Sequence, residues 1–352
     1  MGGKIVNDKF LGIFTHTEPV KAPVEQLESL KQVLEGNPYI SGISIKISWK
    51  YLNPAEGVID TDILEEMITL AAERGKHIHL VILPGLQNAP DWIYGKGVAK
   101  AGPVGRWNKL VKDTDTPVVW DDTYVRLLTE FFEAIAGKYA KDNRVADVVV
   151  QGHNYIGEEM HAPDPAIFAN YVFSEDVVRK SWKYWIDLFN KLYPEKNLIL
   201  VVSQMYKDYE HLCGEVADYF VKTVGNRAIL QSDQLLGRHP QRGLSLDIIS
   251  KYGDTVPNGH EMVGSFLEQP DRQGSPEQTI CNFMKMGKHP MYLQLWRRDC
   301  DDPKYAKAVL DAWEKYKGMT SDEIKAQLQK ENKFVEKSDW SEEVFRKEKL
   351  GS

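Results

Sequence analysis

Along most of the chain a short apolar run, a polar loop and an amphipathic segment of about 12 to 18 residues follow one another, and the cycle recurs eight times. Strands separated by helical crossovers lie parallel, because a helix returns the chain to the same sheet edge it left. The expected strands are Phe10 to Phe14, Ile43 to Ile47, His77 to Leu83, Val145 to Val150, Leu198 to Val202, Ala228 to Leu230, Met262 to Leu267 and Met291 to Leu295. Between and after them fall helical patterns at Pro23 to Leu34, Asp62 to Arg74, Thr123 to Tyr139, Glu175 to Leu192, Cys213 to Thr223, Leu244 to Lys251, Pro276 to Met286 and Lys304 to Tyr316. Ser275-Pro276-Glu277 is a clear helix start: an N-cap hydroxyl, a proline whose missing N–H costs nothing in the first turn, and an acid favoured by the dipole.

Eight strand–helix units without a change of composition favour a closed (β/α)₈ barrel over an open, doubly wound sheet. The barrel is expected over residues 5–317, with a charged helical extension over 318–352 that carries no chemistry. An apolar fraction of 42% and a charged fraction of 27% suit a globular core and exclude wholesale disorder. The net charge of −7, with Lys and Arg scattered, excludes the basic stripe that a nucleic acid needs. No apolar run reaches the roughly 20 residues of a membrane span. Met1-Gly2-Gly3 lacks the apolar core of a signal peptide and, with Gly351-Ser352, reads as a cloning remnant, which leaves a native leader and the compartment open. Cys213, Cys281 and Cys300 match neither a zinc spacing nor a disulfide framework and are expected to be structural thiols.

In a barrel the loops after strand C-termini build one face, and the two longest, 85–122 and 151–174, both follow strands. That face is expected to gather His16, Trp49, Trp92, Gln151, His153, Asn154, Gln204, Tyr206, Gln231, Asp233, Trp296 and Arg297. The set is rich in amides and aromatics. An amide offers donor and acceptor together to a hydroxyl, and aromatic rings pack on the C–H faces of sugars, so the expected ligand is a carbohydrate. No glycine-rich phosphate turn is evident and no cofactor is expected.

Breaking a glycosidic bond takes two carboxyl groups, one to protonate the leaving oxygen and one to attack carbon or activate water. Glu268, after the expected seventh strand, and one of Glu158 and Glu159, after the fourth, supply that pair. The plainer alternative for Glu268 is an ion-pair partner of a rim arginine. Two other readings compete. One is a metal-dependent sugar isomerase with His153, Glu158, Asp233 and Glu268 as ligands; the other is a carbohydrate-binding barrel without catalysis.

The stretch ISIKISWKYLNPAEG, Ile43 to Gly57, resembles the second-strand region of the clan of retaining (β/α)₈ glycoside hydrolases that includes β-galactosidases and cellulases, where a strand runs into a Trp-containing loop and an NP-x-x-G turn. Ala89-Pro90-Asp91-Trp92 is similar to the Pro-x-Trp segment after their third strand. The resemblance implies Glu158 as acid/base and Glu268 as nucleophile in a retaining mechanism on a β-linked oligo- or polysaccharide. Clan members usually carry an asparagine directly before the acid/base, whereas Asn154 stands four residues before Glu158. The run Gly152 to Glu158 looks instead like the acid-bearing loop of β-amylases, which invert. The choice between Glu158 and Glu159 therefore stays open, and so does the stereochemistry.

Overall fold

The inward and outward faces of the strands explain why this sequence closes on itself. In the second strand Ile43, Ile45 and Ile47 pack outward on the helices, while Ser44, Lys46 and Ser48 alternate with them toward the axis. The computed structural model describes residues 10–335 apart from 20, 105–113, 156, 207, 239–243 and 287–288. The part of the expected extension from 336 onward lies outside the described residues.

Eight parallel strands form a closed barrel in the order β1-β10-β9-β8-β7-β6-β3-β2. They are β1 (Gly12–His16), β2 (Ile40–Ser48), β3 (His77–Leu83), β6 (Asp147–Val149), β7 (Asn197–Val201), β8 (Ala228–Leu235), β9 (Asn258–Met262) and β10 (Pro290–Gln294). The remaining two, β4 (Lys100–Val104) and β5 (Thr114–Pro117), pair antiparallel as a hairpin within the long loop after β3. The principal helices, α1 (Pro23–Gly36), α3 (Asp62–Glu73), α4 (Asp122–Tyr139), α5 (Glu175–Leu192), α6 (His211–Val224), α7 (Leu244–Tyr252), α9 (Pro276–Lys285) and α10 (Pro303–Tyr316), follow the barrel strands. Single turns α2 (Trp49–Leu52) and α8 (Pro270–Gln273) interrupt the loops after β2 and β9.

The (β/α)₈ expectation holds, and the helix bounds agree to within about three residues. The one strand that differs in kind is the seventh of the barrel. It is Asn258–Met262, NGHEM, and not Met262 to Leu267. Its outward side chains, Asn258 and His260, share a hydrogen bond of 2.8 Å, and its inward ones are Gly259 and Glu261, so it carries no apolar run. The run MVGSFL instead begins at the strand's last residue and turns away, held by Asp299, whose carboxylate accepts from Ser265 Oγ (2.6 Å), Phe266 N (2.9 Å) and Leu267 N (3.0 Å).

The barrel interior is layered. Phe14, Val81, Leu83, Val149, Ile199, Val201, Ile229, Met291 and Tyr292 form an apolar plug. Phe14 stacks within 4.8 Å of both His79 and Tyr292, and its ring occupies the space a side chain at Gly42 would need. Outside, α5 starts on the Ser174 N-cap and buries Trp182, Trp185, Ile186 and Phe189, the packing role expected of its two tryptophans. Beyond the barrel, α11 (Ser321–Lys330) is closed by a Thr320–Glu323 capping box and buries Ile324 and Leu328. The three cysteines are free and buried.

Phe14→Ala should destabilise the fold by about 3–5 kcal/mol, since the void lies where neighbouring strands cannot collapse into it. Urea unfolding of the variant beside the parent measures this.

Candidate functional site

The mouth of the barrel, at the strand C-termini, holds a buried charge cluster. Lys46, on the inward face of β2, places its ammonium against Glu158 Oε1 and 2.9 Å from Glu261 Oε2. All three side chains are almost wholly shielded from solvent. Two carboxylate oxygens that share one ammonium lie within about 6 Å of each other. Glu261, next to last in β9, also accepts from Gln294 Nε2 and lies 3.8 Å from His16 Nε2. Oxygens of Glu158, Glu159 and Asp233 lie within 4.8 Å of one another.

These four carboxyls cannot all be ionised at that spacing. Burial, then the Glu158 charge, pushes Glu159 up to about 7. Asp233, on β8, is held well above the usual carboxylate range by burial and by Glu261 and Glu158. Burial works against the Lys46 ammonium, but the Glu158 and Glu261 charges outweigh it and keep it protonated. Burial and the adjacent Lys46 push His16 down to about 3, so it is neutral at pH 7.

The loop after β6 is built to present the two adjacent glutamates. Gly152 has φ near +134°, and the Trp185 ring fills the place of any side chain there, so only glycine fits. Asn154 Oδ1 accepts from Gly152 N (3.2 Å), while its Nδ2 donates to the Glu158 carbonyl (2.8 Å) and the Glu159 carbonyl (2.9 Å). Gln151 Nε2 adds a 3.3 Å bond to the Glu158 carbonyl. A side chain at Gly157 would strike the Glu159 carboxylate.

The structure gathers His16, Gln151, Asn154, Glu158, Glu159, Gln231 and Asp233 of the expected residues around this cluster. Gln231 Nε2 donates to Asp233 at 2.7 Å and its Oε1 accepts from Tyr292 at 2.5 Å. Trp296 stands beside His16, ring centroids 5.9 Å apart, and stays partly exposed.

Others are corrected. Glu268 is not at a strand end: it follows the turn after β9, is 40% exposed and pairs with Arg298. Trp49 is fully buried against Tyr124 and Phe131 and belongs to the core, since the chain turns into α2 directly after β2 and swings the indole outward. Trp92 is half-buried, its indole N–H donating to the Asn53 carbonyl. His153 is locked between Ser181 Oγ (2.8 Å) and Tyr206 OH (2.9 Å), and burial pushes it down to about 3. Tyr206 is equally buried and bonds Tyr155, so neither faces the mouth. Gln204 bonds Glu210 at 3.1 Å. Arg297 is buried and ties the turn after β10 to α1 through the Ser29 carbonyl. The four-ligand set His153, Glu158, Asp233 and Glu268 is therefore not brought together.

Lys46, Glu261 and Gln294 were missed. The alternation ISIKIS around Lys46 carried the signal, because a charge on the inward face near the C-terminal end of a barrel strand points to the mouth. A rim cavity of about 540 Å³, lined by Glu18, Lys21, Arg297, Arg298 and residues of α1, lies apart from the carboxylates.

Solved structures share this fold. The catalytic domain of a β-amylase from Paenibacillus polymyxa superposes with a TM-score of 0.58 and 10% identity, covering 89% of this chain and 98% of that one. A polyextremophilic β-galactosidase from the Antarctic haloarchaeon Halorubrum lacusprofundi gives 0.53 and 13%, covering 87% of this chain and 58% of that one. At such identities the likeness is one of fold. No protein-family model matches the chain, and no curated protein matches its sequence.

Lys46→Met should cost about 3–5 kcal/mol at pH 8, where it leaves buried carboxylates without their cation. The deficit should shrink as pH falls and protons replace the ammonium, which thermal melts across pH 4–8 follow.

Proposed function

We propose that the chain is a glycoside hydrolase acting on a β-linked oligo- or polysaccharide. The observation that carries this reading is the carboxyl cluster gathered at one barrel mouth, in which acids paired with the Lys46 ammonium stand beside one pushed up to about 7. Glu261 projects from a rigid strand and is held by Lys46 and Gln294, which suits a nucleophile. Glu159, raised to about 7, keeps its proton in a large share of the molecules in neutral solution and is the general acid/base. Glu158 balances the Lys46 charge, and Asn154 fixes the loop that carries both glutamates.

Proton flow then follows. Glu159 gives its proton to the leaving oxygen while Glu261 attacks the anomeric carbon; the deprotonated Glu159 next takes a proton from the water that releases the sugar. Retaining enzymes hold their carboxyls about 5–5.5 Å apart, and inverting ones about 6.5–9.5 Å to admit a water. The crowding of Glu158, Glu159, Asp233 and Glu261 supports retention. Asp233, partly exposed, offers hydrogen bonds to sugar hydroxyls and Trp296 offers an apolar face, while the buried Gln231 and Gln151 brace Asp233 and the Glu158 carbonyl. The fold shared with a β-amylase domain and a β-galactosidase supports the reading at the level of architecture.

On a panel of β-glucans, galactans, mannans and xylans, Glu261→Gln should lower kcat/KM on the cleaved glycan at least about a thousandfold, whereas Glu268→Gln should stay within about threefold, as for an exposed ion pair. Equal losses in the two variants would sink the assignment. NMR of the first product should show the substrate's anomeric configuration. Because Glu159 must carry its proton, kcat/KM should fall as pH rises through about 7, and Glu159→Gln should remove that limb with most of the activity.

A further inference from the structure

At the opposite end of the barrel from the carboxylates, the N-terminal ends of β3 and β6 bring together His77, His79 and Asp147, the last two being register partners. One ligand atom of each lies within 4.8 Å of the other two. His79 and Asp147 are wholly buried; His77 is 24% exposed. None of these groups takes part in the proposed hydrolysis.

The hydrogen-bond polarity of the barrel interior dictates what His79 presents there. Glu261 Oε2 accepts from Gln294 Nε2, which orients that amide, and Gln294 Oε1 faces Ser44 Oγ at 2.5 Å. A hydroxyl has one hydrogen, and this one goes to Gln294. Ser44 Oγ therefore meets His79 Nδ1, 3.3 Å away, as an acceptor, so Nδ1 carries the ring hydrogen. In that tautomer His79 turns Nε2 toward Asp147, and this nitrogen makes no well-aligned hydrogen bond although Asp147 Oδ2 lies 3.0 Å away. Asp147 Oδ1 is already occupied by Asn197 Nδ2 at 2.7 Å, which leaves Oδ2 with its excess charge facing Nε2 of both histidines, His77 at 2.5 Å. One imidazole Nε2 without a hydrogen bond and a second that shares a proton with the carboxylate thus converge on Asp147 Oδ2.

We propose that His77 Nε2, His79 Nε2 and Asp147 Oδ2 bind a divalent transition-metal ion of the zinc class. Two imidazoles and one carboxylate are a zinc-type donor set, and the fourth position opens toward solvent beside His77 for a water. The second shell is in place: Ser44 holds Nδ1 of His79, Asn197 holds the far oxygen of Asp147, and Phe14 packs against both rings at 5.6 and 4.8 Å. Tetrahedral bonds of about 2.0–2.1 Å set ligand atoms roughly 3.3 Å apart, so entry of the ion requires the three to spread by less than about 1 Å. Binding displaces the proton from His77 Nε2, and the ion pins β3 to β6 where the barrel closes with its shortest strand.

Titration of the chelator-treated full chain with ZnCl₂ by calorimetry at pH 7.5 should give one equivalent, and a hundredfold excess over Kd should raise Tm by roughly 5 °C. His77→Ala, at a partly exposed position, should abolish that equivalent and the rise. Equal stoichiometry in parent and variant, or none in the parent, overturns the proposal, the second result meaning that a proton alone holds the three groups. Should His77→Ala fold poorly, CoCl₂ with the parent decides: intense visible bands of a four-coordinate ion support the site, and the weak spectrum of a six-coordinate ion overturns it. Hydrolysis enters none of these readouts, so their failure leaves the proposed function untouched.

Discussion

The ammonium of Lys46 is the point on which the mouth of this barrel is organised. Removing a lysine and two glutamates from water costs several kcal/mol per ion, and attraction in the low-dielectric interior repays that only when the geometry is good and the remaining lone pairs are satisfied. Here the close geometry is supplied by distant parts of the chain. Lys46 comes from β2, Glu261 from β9 and Glu158 from the loop after β6, with Gln294 of β10 completing Glu261. Only closure of the sheet brings these four segments within hydrogen-bond reach, so the cluster is a consequence of topology before it is a piece of chemistry. A buried ion pair is weak support for stability, and such a costly arrangement is better explained by what it lets the carboxyls do.

The charge balance of that cluster divides its acids into two kinds. One ammonium stabilises the two carboxylates it touches, and the remaining two are driven toward the protonated form by burial and by the charges already present. Carboxyls of the same residue type thus meet different surroundings within a few ångströms, some against the ammonium and some without it. The Gly152–Asn154 turn keeps this division from collapsing. It holds the backbone of both glutamates, so that Glu158 reaches the ammonium and Glu159 does not displace it.

How far this was legible in the sequence depends on which face of each strand carried the signal. Strands with aliphatic outward faces, such as ISIKIS and HIHLVIL, announce themselves, and with them came the barrel, its helices and the acid-bearing loop. The strand NGHEM is different: its outward positions are polar and paired, one inward position is a glycine that makes room for the Tyr292 ring, and the other is Glu261. Hydropathy therefore slid past it to the next apolar run, and the expected nucleophile slid with it to Glu268, which turned out to be the ion-pair partner of Arg298. The tryptophans failed for a related reason. Trp49 directly follows β2, but a single helical turn begins at that residue and rotates the indole into the outer layer.

On the proposed function, the same cluster bears on the kind of sugar the mouth would accept. Within the cluster, among the described residues, Lys46 is engaged by two carboxylates and His16 is neutral, so the approach to Glu159 and Asp233 presents mainly acidic oxygens. A phosphorylated or uronate ring placed there would raise the energy of the acids around it, and would hold the proton of the proposed general acid more tightly just when it has to leave. A neutral pyranose brings no such penalty, and its hydroxyls can donate to the carboxylates. In the proposed reading, the imbalance that sets the two glutamates apart therefore disfavours a charged ring directly beside them.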